Sequence, residues 1–302
     1  MMRVLVQRPI AIPNRRMVEL ADRLLDRKGR LVAVLASIGA MVSTSPVRDF
    51  VDRRSIVRTI WGDPDVVLLI FAGSAAEFAL NRAVDWLFFT GEIPRDPIGR
   101  LFSTVRYAQE IVFVDEEKAR RTLDRINVRH ASVEHNRGQT IPDWAYRDVL
   151  YMLIDYSERA YELLYRPLSQ SQKTDLFEVF LRIGEALSIP KLPETYAEWQ
   201  LDRREHLVRD LTYSKHTSML YAAYRKHLGF LRYYLLLEVQ ALLVPDHVRH
   251  LLRLNSNPLV SGLAQMYGII GTGSVQSLVH TLLIPPRYWS DVRAFKQPQE
   301  ST

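Results

Sequence analysis

Several long stretches with helical periodicity in this chain begin with a capping residue followed by proline. Asp63-Pro64 and Asp96-Pro97 each place a side-chain oxygen before a proline, as does Ser45-Pro46, and Asp115 precedes two glutamates. A cap followed by proline suits the first turn of an α-helix, because proline lacks the N–H that this turn leaves unpaired and its φ is already helical. The sequence therefore predicts helices that begin at these points.

Helical periodicity runs through most of the 302 residues, whereas alternation with a period of two is rare. We predict an all-α fold with buried central helices, as one large domain over residues 1–302 with a frayed tail at 296–302. Segments 64–90, 229–243 and 257–282 are apolar on nearly all sides, which predicts that they are the central helices. The helices are expected at 15–28, 30–44, 46–60, 64–90, 97–113, 116–136, 143–165, 170–187, 194–211, 214–228, 229–243, 246–254 and 257–282.

The absence of cysteine excludes whole classes of chemistry. Without thiols the chain has no disulfides, no thiolate metal sites, no iron–sulfur cluster and no cysteine nucleophile. None of the eight histidines has a glutamate three residues before it, so the helical di-iron pattern is also missing.

The distribution of charged and apolar residues excludes some classes of partner. The net charge is +6, but basic and acidic residues alternate, as in "DRLLDRKGR" and "LDRREHLVRD". This pattern predicts solvated helical surfaces and no nucleic-acid partner. The apolar run at 31–44 is shorter than the roughly 20 residues that cross a bilayer, so we expect no transmembrane segment and a cytoplasmic location.

One histidine lies on an apolar helical stripe. His130 shares a helix face with Leu123, Ile126 and Val133, at spacings of three and four residues. A histidine in this position is either a core residue with a satisfied hydrogen bond or a ligand for something buried. Both interpretations stay open on spacing alone.

The preceding helix carries polar groups on one face. Arg100, Thr104 and Tyr107 follow each other at i, i+4 and i+7, so a guanidinium, a hydroxyl and a phenol point the same way. If this helix packs against the next through "VDEE", the polar face meets His130. An imidazole opposite such donors has the chemistry of a haem pocket, with an axial nitrogen and groups for bound oxygen or a propionate.

Four segments together resemble a known family. "WGDPDVVLLIFAGSAAEFAL", "DPIGRLFSTVRYAQEIVF", "RAYELLYRPLS" and "LPETYAEW" are similar to the catalytic domain shared by MpaB-type oxygenases and the latex-clearing rubber oxygenases. The resemblance covers about residues 56–252. It is based on the order and spacing of the four segments. It implies a helical bundle related to the globin-like architecture.

The resemblance also implies a cofactor and a role for each candidate residue. Members of the family hold a b-type haem and cleave isoprenoid double bonds with dioxygen. Their proximal histidine falls on His130, and their distal arginine and threonine fall on Arg100 and Thr104. These three residues and Tyr107 are thus the expected haem-binding set, with His130 as the iron ligand and Arg100 and Thr104 as the catalytic pair.

The chain departs from the family pattern at several positions. These differences affect what can be expected of the substrate, of the sixth iron ligand and of haem retention. Ser103 stands where the rubber oxygenases have a distal lysine, and Asn81-Arg82 stands where His-Pro is common. Leu150 replaces a frequent histidine, and Asn127 and Glu134 replace arginines.

Together these observations predict a haem-dependent oxygenase. Its substrates are expected to be dioxygen and an apolar small molecule, terpenoid-like or acyl-like, which the helices shield from water. The alternative is a helical protein with an apolar ligand-binding cavity that is non-catalytic or uses another cofactor.

Overall fold

The computed structural model describes residues 33–34, 48–89 and 96–255. It divides the chain into two compact units, Met1–Arg48 and Asp49–Thr302, and nearly all the described residues belong to the second. The expected helices at 15–28, 30–44 and 257–282 lie largely or wholly outside the described residues. The prediction of a single domain over 1–302 stays a prediction.

Within the described residues every regular element is a helix, which confirms the predicted all-α fold. Only two isolated bridges, Asp49 with Asp115 and Asn81 with Leu211, resemble strand pairing there. The helices are α1 Ile56–Gly62, α2 Pro64–Phe78, α3 Val84–Phe89, α4 Pro97–Val112, α5 Glu116–Arg137, α6 Asp143–Leu164, α7 Gln170–Ala186, α8 Tyr196–Arg209, α9 Lys215–Leu243 and α10 Asp246–Leu252.

The predicted caps form where they can be described. The Asp63 carboxylate accepts hydrogen bonds from the backbone N–H groups of Asp65 at 2.8 Å and Val66 at 3.3 Å. Asp96 accepts from Gly99 N at 3.0 Å, and Asp115 from Lys118 N at 2.9 Å. Each cap pairs a donor that the first turn would leave unsatisfied. The Ser45-Pro46 pair lies outside the described residues.

Two predicted helix ranges are wrong, for different reasons. The helix expected at 46–60 begins only at Ile56, because the Ser55 side chain caps Val57 N at 3.1 Å. The helix expected at 64–90 is two helices, separated by a turn at 79–83. In that turn Asn81 accepts from Ala83 N at 2.8 Å, and Leu80 O accepts from Thr212 N at 2.8 Å. One local bond and one bond from a distant residue thus replace helical hydrogen bonds in the turn.

Helices α2 and α6 pack against each other at the centre of the described bundle, and α7, α8 and α9 contact α6. The two central helices approach closely at Gly73, where a Cβ atom would lie 2.3 Å from Cδ1 of Tyr156. Tyr156 is fully buried, as are Val66 and Ile70 of α2. Removing each such aliphatic side chain from water contributes about 1.5–3 kcal/mol to the free energy of unfolding.

Helix α9 bends at Gly229, whose φ of 74° and ψ of 175° are not helical. The stretch beyond this residue, 229–243, was expected to be buried on all sides. This prediction is wrong for its first turns, since Phe230 is 77% exposed and Leu231 is 55% exposed. The end of the stretch does enter the core, through Ala241 and Leu243.

Among the described helices, none combines the length and the apolar character needed to cross a bilayer. The cytoplasmic location stays a prediction.

Candidate functional site

The helices that carry the predicted haem residues are neighbours. Helix α4 ends at Val112, α5 begins at Glu116, and the two pack against each other, which confirms the predicted packing through the short connection. Thr104 is exposed on α4, and Tyr107 is half-buried one turn further along. Arg100 lies in the first turn of α4, and its side chain is outside the described part of the structure.

His130 is half-buried on α5, and its ring contacts Tyr146 of α6 with 5.1 Å between ring centroids. The Tyr146 hydroxyl donates to Glu134 Oε1 at 3.2 Å, and burial together with this carboxylate raises the pKa of Tyr146. Glu134 also accepts from Ile141 N at 2.8 Å. Glu134 therefore holds the Tyr146 ring in place beside His130. The roles of His130, Arg100, Thr104 and Tyr107, and their convergence on one cavity, stay predictions.

The residue types around His130 are those that a haem site uses. An axial ligand is an imidazole that directs one ring nitrogen at the iron, and His130 is a half-buried imidazole. Hydroxyl donors lie on the adjacent helix α4, and an aromatic ring faces the imidazole. His206, by contrast, is 1% exposed, and its Nδ1 is in contact with Asp148 and Asp210, which leaves no approach for a porphyrin.

A second group of polar side chains, the Asp-His-Asp cluster, is buried between α6 and the end of α8. It comprises Asp148, His206 and Asp210, whose ligand atoms all lie within 4.8 Å of one another. His206 Nδ1 is in contact with Asp148 Oδ1, and lies 3.0 Å from Asp210 Oδ2. A ring nitrogen and two carboxylates are donors that divalent metal ions accept.

Further side chains hold the cluster from outside. Asn81 Nδ2 donates to Asp148 Oδ2 at 2.7 Å, and the Arg209 guanidinium donates to Asp210 Oδ2 at 2.8 Å. The other His206 nitrogen, Nε2, lies 3.4 Å from Asp202 Oδ1 and 3.2 Å from an Arg209 nitrogen. Asp202 is fixed in turn by the Tyr151 hydroxyl, which donates to Oδ2 at 2.7 Å.

A third group is an ion-pair network that joins α2, α6 and α8. Arg203 donates to both Glu77 oxygens at 2.6 Å and to Asp155 Oδ2 at 2.9 Å, and the Tyr156 hydroxyl donates to Glu77 at 2.9 Å. Although burial favours the neutral forms, the two carboxylates raise the pKa of Arg203, and the pKa of Asp155 is lowered by Arg203 and Arg159. Every charge in this network is paired, as a structural ion pair in a core requires.

Glu158 lies next to this network on α6 and is buried. Burial raises the pKa of Glu158 to about 7, against the effects of Lys173, whose Nζ lies 3.4 Å from Oε2, and of the Tyr196 hydroxyl. Its other oxygen, Oε1, has no hydrogen-bond partner within the structure described. This carboxyl can therefore exchange a proton near neutral pH.

A cleft of about 430 Å³ opens between the beginnings of α1 and α7. Arg54, Arg166 and Asp175 are among its lining residues, and it includes none of the four predicted haem residues. Its charged lining does not suit an apolar substrate.

The sequence interpretation missed the Asp-His-Asp cluster and the ion-pair network. The stretch "LDRREHLVRD" is predicted to be a solvated surface, and this is wrong for Arg203, His206 and Asp210, which are buried, although Arg204, Glu205 and Arg209 are exposed. One local signal was present. Asp202, His206 and Asp210 stand at steps of four, and such a row shares one helix face, whereas Leu201 and Val208 are exposed.

Comparison with known proteins identifies the family. Residues 59–268 match the domain family described as ER-bound oxygenase mpaB/B'/rubber oxygenase, catalytic domain. The match covers well over half of the chain, so the chain belongs to this family of oxygenase catalytic domains, as its sequence motifs predicted. No curated protein and no solved structure matches the chain.

Proposed function

We propose that this protein is a haem-dependent oxygenase that acts on dioxygen and an apolar, terpenoid-like or acyl-like substrate. Membership of the oxygenase family supports the reaction class. The position of His130 supports the haem: it is a half-buried imidazole on α5, beside the helix that carries Arg100, Thr104 and Tyr107. This position is the observation on which the proposal depends.

In this proposal each residue has one task. Haem, when bound, supplies the iron chemistry that activates dioxygen. His130 holds the group through one ring nitrogen, and the Tyr146 ring fixes the orientation of the imidazole. Thr104 and Tyr107 would offer hydroxyl donors from α4, and Arg100 would offer a cation for a propionate or for dioxygen in the pocket. The neighbouring helices exclude water from the apolar substrate.

An absorbance spectrum tests the cofactor. Protein expressed with a haem precursor is expected to show a Soret band, and His130→Ala is expected to lose that band while its circular dichroism stays helical. The matched control is His135→Ala, since His135 lies on the same helix but is exposed. Retention of the band in His130→Ala would remove His130 as the ligand.

A second measurement tests the reaction. Haem-loaded protein is incubated with an isoprenoid or unsaturated acyl compound and isotope-labelled dioxygen. Label is expected in a cleaved or oxygenated product. A wild-type protein that stays colourless when offered hemin would contradict the haem proposal and favour the alternative, a helical protein with an apolar ligand cavity.

A further inference from the structure

We propose that the Asp-His-Asp cluster binds one divalent first-row transition-metal ion, at a site separate from His130. Asp148, His206 and Asp210 would supply the three protein ligands. They are 2%, 1% and 4% exposed, so the three donors face one another and not solvent. They come from two helices and from the residue that ends α8, which makes this a built site and not a chance row of surface acids.

The spacing of the donors suits an ion. Two ligand atoms that each lie about 2.1 Å from a metal, at a right angle, are about 3.0 Å apart. The separation of His206 Nδ1 from Asp210 Oδ2 is 3.0 Å. The contact between Nδ1 and Asp148 Oδ1 would lengthen to a similar value as the ion enters.

The outer contacts are those of a metal site. A metal-ligating histidine directs its other ring nitrogen at a carboxylate or carbonyl, and ligating carboxylates are themselves hydrogen-bonded. Here His206 Nε2 lies 3.4 Å from Asp202 Oδ1, and Asn81 donates to Asp148 Oδ2, while the other oxygen of Asp148 contacts His206. The Arg209 guanidinium donates to both oxygens of Asp210 and lies 3.2 Å from His206 Nε2. Each of the three ligands thus has a polar partner outside the cluster.

The charge of the cluster favours a cation. Three carboxylates, those of Asp148, Asp202 and Asp210, are in direct contact with one imidazole and one guanidinium, that of Arg209. Even with a proton on both nitrogens of His206, these contacting groups sum to one negative charge. A dication with a neutral His206 brings the same set to zero, and it also brings the three buried ligands alone to zero, whereas Asp202 and Arg209 are partly exposed to solvent.

The ligand types narrow the choice of ion. A nitrogen donor disfavours Mg²⁺ and Ca²⁺, and a site without sulfur disfavours Cu⁺. Divalent first-row transition-metal ions accept such a nitrogen and oxygen set, with water in the other coordination positions, and Mn²⁺, Fe²⁺ and Zn²⁺ are the three used as probes. The rival explanation is an imidazolium that donates to two carboxylates, because the same 3.0 Å separation suits a hydrogen bond.

Metal content and thermal unfolding of the full chain distinguish a bound metal ion from a hydrogen-bonded imidazolium. Protein dialysed against a chelator is expected to take up one equivalent of Mn²⁺, Fe²⁺ or Zn²⁺. At a hundred times the dissociation constant, the ion should raise Tm by roughly 5 °C. Failure of all three ions to bind or to raise Tm would overturn the proposal and leave the hydrogen-bonded imidazolium.

Variants locate the ion. His206→Gln and Asp210→Asn are expected to abolish both the uptake and the rise in Tm. The matched control is Asp155→Asn, a buried carboxylate of α6 paired with Arg203, which should lower Tm but keep the response to metal. A response that survives in His206→Gln would overturn the site, and the wild-type titration decides the matter where a variant does not fold.

The test is independent of the haem proposal. His130→Ala is expected to lose haem and keep the non-haem ion, which a haemochrome assay beside a total metal assay distinguishes. A colourless wild type that still binds one stabilising ion would contradict only the haem.

Discussion

At the scale of single residues, the protonation of Glu158 affects stability near neutral pH. Its pKa rises from an ordinary 4.5 to about 7 in the folded protein because the carboxyl is buried. Between these two values the folded protein keeps a proton that the unfolded chain has released. The free energy of unfolding therefore falls as the pH rises through this window, by up to about 3 kcal/mol.

Glu158→Gln is expected to remove this pH dependence, because glutamine is neutral at every pH. Relative to the wild type, the variant should gain stability between pH 5 and pH 8, as measured by urea unfolding at each pH. The control is Glu205→Gln, since Glu205 is exposed on α8 and should leave the pH profile unchanged. An unchanged profile in Glu158→Gln would show that Lys173 keeps Glu158 charged.

At the scale of elements, the bend in α9 depends on one residue. Gly229 has φ 74° and ψ 175°, a region that residues with a Cβ atom rarely adopt. No atom lies within 4 Å of the position that a Cβ would take, so the cost of a substitution is in the backbone alone. Gly229→Ala is expected to lower the free energy of unfolding by about 1–3 kcal/mol.

Thermal or urea unfolding measures this cost. The control is Gly138→Asn, because Gly138 ends α5 in the left-handed region, which asparagine tolerates. Gly138→Asn should therefore change stability little. A stabilising effect of Gly229→Ala would indicate that α9 is straight in solution.

The helix boundaries show which structural features can be predicted from neighbouring residues in the sequence. The caps at Asp63, Asp96 and Asp115 could be predicted, because a cap contacts donors two or three residues away. The break near Asn81 could not be predicted, because its hydrogen bonds include partners far along the chain, Thr212 for Leu80 and Asp148 for Asn81. The bend at Gly229 was predicted as a boundary between two helices, since glycine is a local signal.

At the scale of the whole molecule, the Arg203 network connects parts of the chain that are distant in sequence. Arg203 is 126 residues from Glu77 and 48 residues from Asp155. Periodicity along one helix gives no information on such pairs, which is why "LDRREHLVRD" was interpreted as surface. The Asp-His-Asp cluster was missed for the same reason, since Asp148 is 58 residues from His206.

Arg203→Leu is expected to lower the free energy of unfolding by about 3–5 kcal/mol, because it leaves Glu77 without a cationic partner in the core and Asp155 with Arg159 alone. The loss is measured by urea unfolding. The matched control is Arg204→Leu, since Arg204 is the exposed neighbour and should change stability by less than about 0.5 kcal/mol. A similar small effect of Arg203→Leu would mean that water reaches the network.

The contact between Gly73 and Tyr156 restricts which substitutions can occur together in related sequences. Because a Cβ atom at position 73 would lie 2.3 Å from Tyr156, neither position can change freely while the other stays the same. Relatives with alanine or serine at position 73 should carry a smaller residue than tyrosine at position 156. The acid at position 77 is expected to stay, because Arg203 binds both of its oxygens whether or not a hydroxyl stands at position 156. Positions 73 and 156, one on each central helix, are thus expected to co-vary as a pair.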